Sequence, residues 1–231
     1  MPTEAGILRG RRSEIKVWLA ADGKVTGFSM RDAPNDQFDQ YQTKTKLRPP
    51  FRETWTAHNA SHDESNGHYA NPNQRFAVDW VITDDKKATH SGDGRRNQDY
   101  YAWGKDALAV ADGKIMTVVD GVPENEPGQM DPYHVGGNEI VVDVGNGEYA
   151  LYCHLVPGSM RVKPGQAVKA GDVLAKIGNS GNSSEPHLHF QISDSPRLHL
   201  AHALPAQYSN VVVDGKPVER AWPTTGQHMS P

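Results

Sequence analysis

The chain has 231 residues and a formal net charge of -4, and it contains 22 glycines, 16 prolines and one cysteine. This length allows one full domain with an accessory segment, and the acidic balance argues against a nucleic-acid partner. The single cysteine, Cys153, excludes an intrachain disulfide and a multi-cysteine zinc cluster. No apolar run is long enough to span a bilayer, and residues 1–15 lack a signal peptide's apolar core. The protein is therefore expected either to be cytoplasmic or to have lost a leader.

The first predicted element is a β-hairpin. Residues 14–30 alternate apolar and polar side chains on both sides of Asp22-Gly23, and Asp-Gly between alternating runs favours a hairpin turn. Periodicity is lost over residues 31–50, which end at Pro49-Pro50. Residues 1–50 are therefore predicted to be a small N-terminal β extension with a linker.

Short β-type runs follow, and most are separated by Asp-Gly, Asn-Gly or Pro-Gly. They cover residues 76–82, 107–111, 114–119, 139–144, 148–155, 173–177 and 187–192. No stretch predicts an amphipathic helix longer than about three turns. The spacing predicts an all-β domain over residues 51–215, with antiparallel sheets in a sandwich or barrel. Residues 216–231 are predicted to be a C-terminal tail that is loose from residue 217.

Four side chains on these strands point to a shared task. His187 and His189 lie two residues apart on one predicted strand, so both imidazoles should project from the same face. His154 ends another strand. Asp79 lies within an apolar strand, where an unpaired carboxylate would be costly to bury. Together they predict a site for a divalent metal, and imidazole with carboxylate suits zinc.

Each residue also has a simpler interpretation when it is taken alone. His154 fits a hydrogen-bonded core histidine, and Asp79 could accept backbone amides from a turn. Their joint occurrence, with the loop at residues 178–184 leading into the His-x-His strand, favours the metal site. Cys153 is expected to face away from His154 into the core. The other histidines are interpreted as exposed or loop residues, namely His58, His62, His90, His134, His199, His202 and His228.

Two segments carry a family resemblance. Residues 147–155 end in Tyr-Cys-His-Leu, and residues 162–190 contain a Val-x-x-Gly-x-x-Val-x-x-Gly-like block and end in His-Leu-His-Phe. They resemble the lysostaphin-type zinc metallopeptidases, and with residues 107–115 the match runs from about 65 to 195. The resemblance implies that family's duplicated hybrid motif, with zinc as the cofactor and an extracytoplasmic location. The implied substrates are peptidoglycan peptides or glycine-rich peptides.

The resemblance also implies a role for each site residue. Asp79 and His189 would be zinc ligands, while His154 and His187 would activate water and stabilise the tetrahedral intermediate. Arg75 occupies the family's usual first-ligand position, four residues before Asp79, and a guanidinium cannot bind zinc. Residues 67–79 instead resemble a subgroup with a histidine further upstream, which implies His68 as the third ligand. The alternative for His68 is an ordinary loop histidine.

Two functions remain open from the sequence. The first is a zinc endopeptidase that acts on bacterial cell-wall peptides. The second is an inactive relative that binds the cell wall or regulates another hydrolase. A third, a sugar- or lipoyl-binding β domain, is disfavoured because it gives Asp79 and the histidines no shared task.

Overall fold

The computed structural model describes residues 5–8, 11–20, 22–32, 40–60, 67–69, 71–197 and 200–231. Within these ranges, helical structure amounts to a 3-10 turn at Asn97–Asp99 and a single 3-10 residue, Leu200, and no helix is long and apolar enough to cross a membrane. The predicted all-β fold is therefore confirmed. The strands are β1 (Ala5–Leu8), β2 (Arg11–Leu19), β3 (Val25–Asp32), β4 (Trp55–His58), β5 (Val78–Val81), β6 (Asp106–Leu108), β7 (Gly113–Val119), β8 (Asn138–Gly145), β9 (Glu148–Leu155), β10 (Ala167–Val168), β11 (Val173–Lys176), β12 (Leu188–Ser193), β13 (Ala203–Leu204), β14 (Tyr208–Val213), β15 (Lys216–Ala221) and β16 (His228–Ser230).

The predicted N-terminal hairpin is confirmed. β2 and β3 pair in antiparallel orientation, with Val17 opposite Phe28. The turn between them contains Gly23 at φ +80°, a left-handed conformation that glycine adopts without a steric penalty. β1, which was not predicted, pairs with β2 and completes a separate three-stranded sheet.

The main sheet joins strands from both halves of the chain in the order β10-β7-β8-β9-β12-β5-β4-β16-β14-β15, and β13 pairs with β12. Its strand pairs are antiparallel wherever the structure describes them. All seven predicted runs between residues 76 and 192 overlap a strand, namely β5 to β9, β11 and β12. These runs are short and rich in alternating or β-branched residues, and this pattern suits a sheet with one face on the core.

In the central strands β5 and β12, alternate side chains point into the core, and those between them point to the opposite face of the sheet. On β12, Leu188 and Phe190 join the large core cluster, whereas His189 lies on the opposite face. On β5, Val78 and Trp80 join the same core and Asp79 projects from the other face. Because successive side chains alternate across a strand, one face of this sheet builds the core and the other presents the polar residues.

Part of the predicted linker packs against the main sheet. Leu47 lies within the core cluster and is 1% exposed. The buried carboxylate of Glu148 accepts hydrogen bonds from the Tyr41 hydroxyl at 2.8 Å and from the amides of Lys44 and Thr45 at 2.7 and 2.9 Å. These bonds satisfy the carboxylate, and they fix residues 41–45 to the start of β9.

The prediction of a loose terminus from residue 217 is wrong. Residues 216–231 contain β15, which pairs with β14, and β16, which lies between β14 and β4. β15 is largely exposed and carries Pro217, and both features suit its place at the edge of the sheet. Met229 of β16 is fully buried in the core cluster.

Replacing Met229 by alanine tests whether β16 belongs to the folded core. We expect Met229→Ala to lower the free energy of unfolding by about 2–5 kcal/mol, because it leaves a cavity among packed side chains. The matched control is Met116→Ala, since Met116 lies on β7 and is 42% exposed, and it should change stability by less than about 0.5 kcal/mol. Urea unfolding followed by tryptophan fluorescence measures both. Equal, small effects would contradict a packed β16.

Candidate metal centre

Asp79 and His189 face each other across two hydrogen-bonded strands. They are directly paired in the register of β5 and β12, and His189 Nδ1 lies 3.0 Å from Asp79 Oδ1. Both side chains are nearly inaccessible to solvent. The sheet therefore holds a carboxylate and an imidazole together without help from a flexible loop.

His68 joins this pair from the segment before β5. Its Nε2 lies 3.0 Å from Asp79 Oδ2. One ligand atom from each of His68, Asp79 and His189 lies within 4.8 Å of the others, which is the spacing of a site able to hold a metal ion. The structure therefore brings together the three residues expected as ligands.

Two glutamines orient the histidines of this group. His189 Nε2 lies 3.1 Å from Gln191 Oε1, and Gln191 Nε2 donates to the Asn73 carbonyl and to Ser193 Oγ. Because the amide nitrogen is used in this way, its oxygen must accept from His189 Nε2, and Nδ1 keeps a lone pair toward Asp79. Gln74 orients His68 in the same way, because its Oε1 lies 3.3 Å from His68 Nδ1.

Neither glutamine was predicted from the sequence. Gln191 had a signal, since it lies two residues after His189 on the same strand face. Gln74 had none, because it contacts His68 through a loop. Partners of this kind fix the tautomer and ring orientation of metal-binding histidines.

His154 and His187 complete the pocket, which the three candidate ligands also line. Their ring centroids are 4.8 Å apart. His187 Nδ1 lies 2.8 Å from the Glu185 carbonyl and His154 Nδ1 lies 2.8 Å from the Ser180 carbonyl. Each carbonyl requires a proton on Nδ1, so Nε2 of both rings is the atom that can accept or donate a proton.

His154 reaches the pocket through a β-bulge. The register between β8 and β9 shifts between Asn138 and Ile140, and His154 has φ +63°. A bulge breaks the alternation of side chains. Cys153 and His154 therefore both line the pocket, and Cys153 packs with Val141 outside the large core. The expectation that Cys153 faces away from His154 into the core is wrong for this reason.

Burial and mutual charge set the protonation of the site. Burial raises the pKa of Asp79, but the charges of His187 and His68 outweigh it and hold that pKa well below its usual range. Burial lowers the pKa of His68 and of His187, but in both the Asp79 carboxylate outweighs it and the net shift is upward. His154 has a pKa held well below its usual value, first by burial and then by the neighbouring histidines.

The residues fit a zinc ion by their chemistry. In the part of the chain that the structure describes, the ion-pair partners of the Asp79 carboxylate are histidines rather than lysine or arginine. A buried carboxylate with two imidazoles on one side is a donor set that zinc accepts readily. A divalent cation would neutralise this carboxylate and occupy the lone pairs that the glutamines leave free.

Arg75 does not reach the site. It is buried, its Nε donates to the Tyr69 carbonyl at 3.1 Å, and its guanidinium lies 5.1 Å from the centre of the Tyr69 ring. Arg75 therefore stabilises the backbone at Tyr69, the residue that follows His68. Among the histidines interpreted as exposed or loop residues, His62 and His199 lie outside the described residues.

Residues 98–200 match the model of peptidase family M23. This range contains His154, His187 and His189, and it begins after His68 and Asp79.

Three curated relatives align with parts of the chain. It is 37% identical over 89 residues to glycyl-glycine endopeptidase ALE-1 of Staphylococcus capitis, covering 38% of this chain and 21% of the relative. It is 33% identical over 95 residues to cell division protein DipM of Caulobacter vibrioides, covering 41% and 14%. It is 32% identical over 89 residues to peptidoglycan DD-endopeptidase ShyB of Vibrio cholerae, covering 38% and 18%. The alignments thus span about a fifth or less of these relatives.

Solved structures give similar matches. The catalytic domain of lysostaphin from Staphylococcus simulans is 22% identical with a TM-score of 0.38, covering 66% of this chain and 88% of that one. A zinc-containing peptidase from Vibrio cholerae is 17% identical with a TM-score of 0.39, covering 89% and 45%. The resemblance drawn from the Tyr-x-His-Leu and His-Leu-His-Phe segments is confirmed by the family match. Through residues 98–200, the chain carries a domain of peptidase family M23.

Proposed function

We propose that this protein is a zinc-dependent endopeptidase that hydrolyses peptide bonds of bacterial cell-wall peptidoglycan. The observation that carries the proposal is the convergence of His68, Asp79 and His189 beside two further histidines in one pocket. An aspartate and four histidines are more than a structural site needs. A catalytic zinc site keeps three protein ligands and an open position, which matches this division of the residues.

The names of the relatives and the shape of the surface support the proposed substrate class. One relative is named a glycyl-glycine endopeptidase and another a peptidoglycan DD-endopeptidase, so peptidoglycan peptides or glycine-rich peptides are the proposed substrates. A second pocket adjoins the histidine pocket, and Val135 and Gly136 line both. Two adjoining pockets could accept neighbouring residues of an extended peptide. Peptidoglycan lies outside the cytoplasm, so the proposed location is extracytoplasmic.

In the proposed mechanism, His68, Asp79 and His189 would hold the zinc, which would lower the pKa of water and polarise the scissile carbonyl. His154, whose low pKa keeps it neutral, accepts the proton of the attacking water at Nε2. The water oxygen bonds to the carbonyl carbon, and the tetrahedral intermediate then loses the amine. His187 donates from Nε2 to the developing negative charge and then to the leaving nitrogen.

The first prediction concerns the ligands. His68→Ala and His189→Ala should each lose stoichiometric zinc, because a two-ligand site holds the ion weakly. His228→Ala is the control, since His228 is an exposed histidine on β16. Elemental analysis after dialysis measures zinc per chain. A full equivalent of zinc in either ligand variant would refute its assignment.

The second prediction separates catalysis from binding. His154→Ala and His187→Ala should keep zinc and lose about 10²- to 10⁴-fold in hydrolysis, the usual contribution of a general acid or base. Cleavage of purified peptidoglycan and of pentaglycine, followed by mass spectrometry, measures the rate. Loss of zinc in both variants would mean that His154 and His187 are metal ligands rather than catalytic residues.

The same assay on the unmodified protein decides between the two functions left open by the sequence. Zinc binding without cleavage of either substrate would support the inactive, wall-binding relative instead.

The third prediction is the pH dependence of zinc binding. The raised pKa of His68 means that Nε2 holds a proton below that pKa, and zinc must displace it. Zinc affinity should therefore rise about tenfold per pH unit on the acid side and level off above the pKa of His68. Titration against a competing chelator between about pH 5.5 and 7.5 measures the slope. A flat profile over that range would contradict a proton on His68.

A further inference from the structure

Asn59 lies directly against the candidate ligand Asp79. Its Nδ2 donates a hydrogen bond to Asp79 Oδ2 at 2.8 Å, and its side chain lines the same pocket as the histidines. The acceptor is an ionised carboxylate, and hydrogen bonds to ionised acceptors are roughly twice as strong as those between neutral groups. Asn59 also brings a donor to the carboxylate without bringing a charge.

The backbone at Asn59 is shaped to deliver this amide. β4 ends at His58, which is paired with Asp79 on β5, and Asn59 has φ +43°. This left-handed conformation is unfavourable for most residues, while asparagine adopts it more readily. It turns the chain immediately after the strand, so the side chain returns over the neighbouring carboxylate.

A distant segment holds this turn in place. The Ala60 amide donates to Thr225 Oγ1 at 2.9 Å, and the Thr225 amide and hydroxyl both donate to the Ala60 carbonyl at 2.6 Å. The amides of Gly226 and Ala57 form reciprocal bonds between the two segments, to the carbonyls of Ala57 and Gln227. These contacts flank Asn59, and they come from residues beyond the family match, which ends at residue 200.

We propose that Asn59 is a positioning residue for the metal ligand Asp79 and that residues 225–227 hold it in place. The inference rests on the proposed function. Three histidine nitrogens lie within 3.4 Å of the two Asp79 oxygens. A carboxylate in that position could turn toward any of them. The Asn59 amide fixes one oxygen, so the carboxylate keeps a single orientation as the ligand.

The experiment removes the amide while it keeps the backbone. Asn59→Gly deletes the donor, and glycine tolerates the positive φ. The matched control is Asn210→Gly, because Asn210 also has a positive φ, +54°, and is exposed on β14. Zinc affinity is measured by chelator competition on the full chain. We expect about a 10- to 100-fold loss for Asn59→Gly, the usual effect of removing a partner of a metal ligand, and no change for Asn210→Gly.

A second variant tests the connection to residue 225. Thr225→Val removes the hydroxyl and keeps the shape of the side chain, and Thr224→Val is its exposed neighbouring control. If Thr225 acts through Asn59, Thr225→Val should weaken zinc binding in the unmodified chain and have a smaller effect when Asn59 is already glycine. This non-additivity is what a double-mutant cycle measures. A merely structural role would give the same loss in both backgrounds.

The outcomes separate this inference from the proposed function. Zinc binding that is unchanged in Asn59→Gly overturns the positioning role and leaves the enzyme proposal standing. No zinc binding by the unmodified chain overturns the proposed function itself. Should Asn59→Gly fail to fold, Thr225→Val still decides, because unaltered zinc affinity there contradicts the proposed support of Asn59.

Discussion

The buried carboxylate of Asp79 is the constraint around which the site is arranged. Placing an anion on a strand whose neighbours are fully buried is unfavourable unless other groups compensate for its charge. Here His189 reaches it across the sheet, His68 from the preceding segment, and Asn59 from the end of β4. Gln74 orients His68, while Gln191 and the pairing of β5 with β12 position His189. Removing the carboxylate would remove the group that Asn59, His68 and His189 all contact.

The parts of the fold that depend on local patterning could be predicted from the sequence. The β2–β3 hairpin followed from Asp-Gly between alternating runs, and β9 was predicted at its observed bounds, residues 148–155. β15 and β16 escaped prediction for physical reasons. β15 is polar and contains Pro217, which an edge strand tolerates, and β16 is a three-residue strand stabilised by partners distant in sequence. Such strands owe their existence to tertiary pairing rather than to their own pattern.

The same distinction holds for the site. The strand period indicated that His187 and His189 share a space, and the structure places both rings in one pocket. The period gave the wrong orientation for Cys153, because the bulge at His154 lets two consecutive residues face the same side. Asn59 and Gln74 carry no sequence signature. Neutral amides occur throughout most chains, and only the folded structure shows which of them reach Asp79 or His68.

The position of β16 between β4 and β14 has a consequence for biosynthesis. β4 can be paired on that side only after the chain as far as residue 230 has been made, because its partner there, His228–Ser230, lies far along the sequence. Contacts of such long range form late and slow the folding of β proteins. The turn that presents Asn59 would therefore be among the later parts of the domain to become ordered. A nascent chain would have its central strands before the site around Asp79 was complete, so the candidate metal centre would form only after residues 228–230 had been made.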